Sequence, residues 1–226
     1  TDYFLFADSD DILPPNAVEI LAKRMKETGT DFVEGGYAEY CNGNICNEKA
    51  PSHLTENKYK RKAWCQNLIQ PNVWGRLFKT GILWKVPDLF MEGIDYAEDL
   101  CAMMRLIGVA TRSWTDETVY LYRTDNNASY TKNISEKSLL SYAKAQAKIL
   151  SFYLMRGHLP LAIEIGALST LRECRRNGMD MQKMDDILQY VPEHFRAKLL
   201  YAMFHSTRIP LTISDYTYRV FRLAAL

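Results

Sequence analysis

The most constraining stretch of the chain is Tyr3-Phe4-Leu5-Phe6-Ala7-Asp8-Ser9-Asp10-Asp11-Ile12-Leu13-Pro14-Pro15, an apolar run that passes directly into three carboxylates. A short apolar and aromatic segment bounded by turn residues suits a strand buried on both faces. Its acidic end then falls at the carboxyl edge of a sheet, where open α/β folds place their ligands. On extended backbone Asp8 and Asp10 leave on the same side. Two carboxylates so placed repel each other unless a divalent cation lies beside them, and such oxygen-rich pairs suit Mg2+ or Mn2+ shared with substrate phosphates. The competing local reading is an acidic turn in which Asp10 or Asp11 caps the next helix and Pro14-Pro15 fills its first turn. A calcium loop of the EF-hand kind is excluded, because Ile12 and Leu13 stand at its required fifth and sixth positions.

At 226 residues the chain can bury one sizeable core with an appended helical subdomain. A net charge of +1 gives no reason to expect nonspecific nucleic-acid binding through the whole surface. Cys41, Cys46, Cys65, Cys101 and Cys174 are odd in number and lack a zinc-ligand spacing, which points to a reduced, cytoplasmic compartment. No window is long and apolar enough to span a bilayer, and no signal-peptide pattern opens the sequence. There is no initiating methionine, and a central strand already begins at residue 3, so the chain is expected to be part of something longer.

Helical spacing runs over Ala17–Lys26, stopped by Thr28-Gly29, and a strand resumes over Asp31–Tyr40. That strand–helix–strand unit predicts a right-handed crossover into a parallel sheet. Asn42-Gly43-Asn44 signals a hairpin. A helix is expected over Lys58–Leu68, a helix or turn–helix over Asn72–Leu83, a loop over Trp84–Met91 and a helix over Ile94–Leu106. Ala110–Thr115 and Thr118–Arg123 read as a closing pair of strands. Beyond Asn126 the period is helical, with helices expected near Ser135–Arg156, Leu159–Asn177, Asp180–Val191, Pro192–His205 and Ser214–Ala224. The last two set Phe195, Leu199, Leu200, Met203, Phe204, Tyr218, Val220 and Phe221 beside Arg196, Lys198, Arg208, Arg219 and Arg222. Such helices either rest on an anionic membrane surface or close the core.

If the sheet holds a nucleotide-sugar, an acceptor hydroxyl must lose its proton to a nearby carboxylate. Glu98-Asp99, opening a helix after a loop with Pro87 and Gly93, is the candidate pair. The plain alternative is an acidic first turn that complements the helix dipole.

The order of these pieces resembles the GT-A glycosyltransferases of family 2, bacterial enzymes of surface-polysaccharide synthesis. Phe4–Pro14 is similar to that family's strand, Asp-x-Asp and helix start, and Asn72-Val73-Trp74-Gly75-Arg76-Leu77-Phe78-Lys79 to its Trp-Asn-Lys-Leu-Phe-like segment. Tyr96-Ala97-Glu98-Asp99-Leu100 matches its Glu-Asp pair, and Val119-Tyr120-Leu121-Tyr122-Arg123 with Ser129 its Tyr-Tyr-Arg…Ser ending. The resemblance implies an α/β chain: a truncated GT-A mixed sheet over residues 1–125, lacking the amino-terminal βαβ unit of the family, and a helical extension over 126–226. It implies an inverting transfer from a nucleotide-diphosphate sugar to a saccharide or lipid-linked acceptor. Asp10 and Asp8 would hold Mn2+ or Mg2+ with the nucleotide, Asp99 would be the general base, and Glu98 would shape its surroundings. Trp74 and Arg76 would form donor or acceptor walls and Arg123 a phosphate contact. Because the missing unit carries most of the nucleotide-base pocket, the isolated chain is expected to show little activity unless a second copy, as in a homodimer, or an omitted segment supplies it. The cysteine usage and the basic carboxyl-terminal helices together lead to the expectation of a cytoplasmic place, at the inner membrane face if those helices rest on it.

Two other readings stand beside it. In a haloacid-dehalogenase-like phosphatase, Asp8 would be the nucleophile, Asp10 the acid/base, and Asp95 with Asp99 distal metal ligands. Asp11 and Ile12 depart from that family's pattern. In a non-catalytic reading, the helical portion is an interaction or membrane-docking module.

Overall fold

A computed structural model describes residues 1–64, 69, 71–125, 135–176, 181–193 and 196. Its elements are β1 (Tyr3–Leu5), α1 (Ala17–Thr28), β2 (Phe32–Cys41), β3 (Asn44–Lys49), α2 (Glu56–Trp64), β4 (Arg76–Lys79), a 3₁₀ helix (Thr80–Trp84), α3 (Glu98–Val109), β5 (Arg112–Arg123), α4 (Glu136–Met155), α5 (Leu161–Arg176) and α6 (Met181–Leu188). They fall into two compact units. One comprises Thr1–Tyr59, Asn72–Leu89 and Leu106–Asn133; the other comprises Lys60–Pro71, Phe90–Arg105 and Ile134–Leu226.

The first unit is built on a mixed five-stranded sheet. β4 lies between β1 and β2 and is antiparallel to both, so β1 and β2 run parallel without touching. β5 pairs with β2 in parallel. β3 and β4 share the other edge of β2, β4 against residues 32–34 and β3 against residues 37–41. The crossover through α1 was expected, and what the sequence reading misses is the strand inserted into it. Arg76–Lys79 is that strand, with only its continuation helical, because a four-residue segment with two apolar residues between two charges carries too little periodicity to separate the two. Its partners settle the matter: Leu77 faces α1, while Phe78 stacks on Phe4 and Phe32 on the opposite face. β1 is half-buried rather than buried on both faces.

The expected pair of strands at the end of this unit is one strand, β5, whose register shifts opposite Gly36. Two glycines make room for the irregularity. A Cβ on Gly35 would lie 2.2 Å from Val119 Cγ2, and one on Gly36 would lie 3.1 Å from the Asp116 carbonyl oxygen.

Ala17, Leu21 and Met25 form one stripe of α1 and pack on Val33, Leu77 and Val119 of three strands. Burying side chains such as Leu21 and Met25 stabilises by about 1.5–3 kcal/mol each. Gly29, with φ 66°, ends the helix in the left-handed region that alanine would resist. The opposite face of the sheet holds a buried ionic cluster. Glu34 receives Arg76 Nη2 at 2.9 Å, Arg112 Nε at 2.8 Å and the Tyr59 hydroxyl at 3.1 Å. The Arg112 guanidinium lies 3.8 Å above the Tyr59 ring. Burial alone would raise the Glu34 carboxyl, but the two guanidiniums outweigh it and hold the group below its ordinary range.

In the second unit α4 is the central element, buried along its length from Ser138 to Tyr153 and opened by a Ser135–Ser138 capping box. Tyr153 ties it to its neighbours, donating to the Met104 carbonyl at 2.7 Å and accepting from Trp64 Nε1 at 2.9 Å. α5 and α6 occupy the expected places. The helices expected over Pro192–His205 and Ser214–Ala224 lie outside the described residues, apart from residues 192, 193 and 196. No helix among the described residues is long and apolar enough to cross a membrane.

Candidate active site

The acidic segment is a turn, not a continuation of β1. Phe6 makes a single parallel bridge to Trp74, and the chain then folds so that Asp11 N–H donates to the Asp8 carbonyl at 3.2 Å. The extended-backbone argument for Asp8 and Asp10 therefore fails. What brings the carboxylates together is the turn, which is fastened to the end of β5. Ile12 and Leu121 exchange two backbone hydrogen bonds, at 3.1 and 2.9 Å.

Asp11 supplies the side-chain part of that fastening. Its Oδ2 accepts from the Tyr120 hydroxyl at 2.8 Å and its Oδ1 from Arg123 N–H at 2.7 Å. The Tyr120 hydroxyl in turn accepts from Asp8 N–H at 2.9 Å. Neither Asp10 nor Asp11 caps α1; the cap position is Asn16, which makes no side-chain cap bond. With Asp11 committed inward, Asp8 and Asp10 are left at the exposed surface.

A platform of aromatic rings adjoins the turn. Trp74 stacks on Tyr120 at 4.6 Å and on Tyr122 at 5.4 Å, and meets Tyr37 edge-on at 5.1 Å. Gly75, at φ 67°, supplies the left-handed backbone by which this segment turns into β4. The local field is negative. Burial first, then Asp11 and Asp10, push the Asp8 carboxyl up; burial, then the three aspartates and Glu39, push the Tyr122 phenol up. Tyr120 is likewise held in its protonated, donating form by burial and by Asp11.

The residues singled out in the sequence divide as follows. Asp8, Asp10, Trp74 and Arg123 gather at the acidic turn. Arg123 lies with its guanidinium 6.0 Å from the Tyr40 ring centre, and its buried Nε has no hydrogen-bond partner among the described residues. Arg76 does not belong here: it is 1% exposed and paired with Glu34, so it serves the sheet and lines no wall. Glu98 and Asp99 occupy the first turn of α3 in the second unit, both half-exposed. Asp11, Tyr37, Tyr120 and Tyr122 are not among the site residues expected from the sequence. The alternation of Tyr120 and Tyr122 in a strand was the available signal, since it puts both rings on one face.

Among the described residues no group of three or more His, Cys, Asp or Glu is arranged to hold a metal ion by itself. Two exposed carboxylates in a negative field fit a Mg2+- or Mn2+-type ion that completes its shell with substrate phosphates. They do not fit a closed, all-protein site.

The mixed sheet, with α1 packed on one face and an acidic turn following β1, has the GT-A fold of the solved structures it resembles. The chain is similar to the crystal structure of S. aureus TarS 1-349 in complex with UDP-GlcNAc, at 16% identity, covering 98% of this chain and 66% of that one with a TM-score of 0.51. It is similar to S. aureus TarS at the same identity and TM-score, covering 39% of that chain. It thus spans at most about two thirds of the length of these structures, and at this identity they speak to the fold. Residues 1–86 match the family described as Glycosyl transferase family 2, so the resemblance read from the motifs holds over the segment that contains the acidic turn and Trp74. No curated protein matches the chain.

Proposed function

We propose that the chain is the catalytic part of an inverting glycosyltransferase that moves a sugar from a nucleotide-diphosphate donor to a saccharide or lipid-linked acceptor in cell-surface polysaccharide synthesis. One observation carries this reading: an acidic turn, held rigid by Asp11 and Tyr120 so that Asp8 and Asp10 stay exposed, within the segment that matches the family.

Asp10 and Asp8 would hold a Mn2+ or Mg2+ ion together with the donor's nucleotide, and Arg123 would contact a phosphate. The divalent ion supplies positive charge to the diphosphate as it leaves. Trp74, with Tyr122, packs against the donor. Asp99 takes the proton of the acceptor hydroxyl, whose oxygen attacks the anomeric carbon opposite the leaving group, and configuration inverts. Glu98 sets the polarity around Asp99. The basic, apolar tail read from the sequence is the proposed contact with an anionic membrane face.

The test is single-turnover cleavage of UDP-GlcNAc, with UDP-, GDP- and dTDP-hexoses in parallel and Mn2+ present, at protein in excess so that the low activity expected of the chain alone is still read. Asp99→Asn and Asp10→Asn are each expected to slow the productive donor by about 10²–10⁴-fold. Wild-type rates in both variants would end the reading. The phosphatase alternative has no observation in its favour. It would gain one if p-nitrophenyl phosphate were hydrolysed and the activity vanished in Asp8→Asn.

A further inference from the structure

Among the described residues three non-glycine residues have positive φ: Asn42 at 50°, Asp88 at 52° and Ala97 at 65°. Asparagine and aspartate tolerate that region by bonding locally, whereas alanine gains nothing there. Ala97 is also the residue whose carbonyl accepts the first backbone bond of α3, from Cys101 N–H at 2.9 Å. Helix caps ordinarily take extended backbone. A strained residue thus stands immediately before Glu98 and Asp99.

The force that holds it comes from α4. Ser141 Oγ accepts from Tyr96 N–H at 2.9 Å and donates to the Tyr96 carbonyl at 3.0 Å. A serine hydroxyl has one proton and two lone pairs, so both bonds can form at once. Ser141 is 5% exposed, and water does not readily substitute for it. One turn earlier on the same helix, Lys137 pairs with Asp95 at 2.8 Å. Both peptide groups of the residue before Ala97 are therefore fixed by a single buried side chain.

We infer that Ser141 is a positioning residue: by clamping Tyr96 it keeps Ala97 in left-handed backbone, and so sets the direction in which the first turn of α3 presents Glu98 and Asp99. The inference rests on the reading of Asp99 as the base. If the clamp is removed, alanine relaxes toward negative φ and the first turn swings with it. Glycine at position 97 carries no penalty in left-handed backbone, so nothing drives it out when the clamp is lost.

The deciding experiment is amide hydrogen exchange at Cys101 in Ser141→Ala, Ala97→Gly and the double variant, with single-turnover cleavage of UDP-GlcNAc in Ser141→Ala, the double variant and Asp99→Asn. Ser141→Ala is expected to speed Cys101 exchange by on the order of tenfold, and to slow cleavage about tenfold at unchanged half-saturation. Adding Ala97→Gly recovers most of both, a non-additivity that the loss of two structural hydrogen bonds alone does not produce. The exchange arm needs no donor and decides the clamp by itself. Cys101 exchange unchanged in Ser141→Ala, or a double variant as impaired as Ser141→Ala, overturns the inference. Asp99→Asn cleaving at the wild-type rate removes the base assignment and the positioning role with it. Loss in Asp99→Asn with wild-type cleavage in Ser141→Ala overturns the positioning role alone.

Discussion

Replacing Tyr120 by phenylalanine separates what holds the acidic turn from what the turn holds. The ring stays stacked on Trp74 at 4.6 Å, so packing is conserved and only the hydroxyl is lost. That hydroxyl accepts from Asp8 N–H and donates to the Asp11 carboxylate. A neutral hydrogen bond contributes about 0.5–1.5 kcal/mol and one to a charged group about 1.5–3 kcal/mol. Asp11 keeps its bond from Arg123 N–H and is only half-buried, so the lower part of the combined range applies, about 2 kcal/mol. Urea unfolding followed by tryptophan fluorescence should show that loss at unchanged m-value. In a thermal scan it corresponds to roughly 4–8 °C. Asp10→Asn, at an exposed carboxylate that raises its acidic neighbours, should change stability by no more than about 0.5 kcal/mol. A neutral Tyr120→Phe, or an Asp10→Asn as costly as Tyr120→Phe, would refute this division into fastening and ligand-facing groups.

Other consequences are open to measurement. Glu34→Leu leaves the Arg76 and Arg112 guanidiniums buried without their carboxylate and should cost about 3–5 kcal/mol in urea unfolding, whereas the triple change of Glu34, Arg76 and Arg112 to leucine should cost far less; equal losses would contradict the ionic account. Because Glu34 titrates below its ordinary value near 4.5, its contribution is fully present above that pH and is lost as pH falls through the folded-state value, so wild-type stability should drop more steeply below pH 4.5 than that of the triple variant. Parallel acid profiles would show that Glu34 carries no such linkage. Gly35→Ala drives a Cβ into Val119 and should destabilise by about 1–3 kcal/mol, with Val119→Ala recovering part of the loss.

The parts of the fold that could be read in the sequence are those where one local rule decides. α1 is bounded by Pro14-Pro15 and Gly29, the hairpin turns at Asn42-Gly43, and α4 starts at a serine cap, each determined by neighbouring residues. β4 was misread because its identity comes from pairing with β1 and β2, far away in sequence. β5 was divided in two because Asp116 and Glu117 look like a turn, while the register shift there depends on Gly36 across the ladder. The candidate site divides in the same way. Asp8, Asp10 and Trp74 stand in motifs whose chemistry is local. Arg76 reads as a ligand contact because its charge is visible in the sequence while its pairing with Glu34, forty-two residues earlier, is not. The inward role of Asp11 is not legible because three acids within four residues give no sign of which one turns toward a tyrosine on another strand.

The central claim is that the acidic turn receives a metal–diphosphate unit. Paramagnetic broadening of backbone amide signals by Mn2+, recorded with and without UDP, tests it most directly. The account predicts weak broadening with Mn2+ alone. With UDP present, strong broadening should centre on residues 8–12 and 120–123, and Asp10→Asn should abolish it. Broadening that ignores UDP, or that centres elsewhere and survives Asp10→Asn, would contradict it.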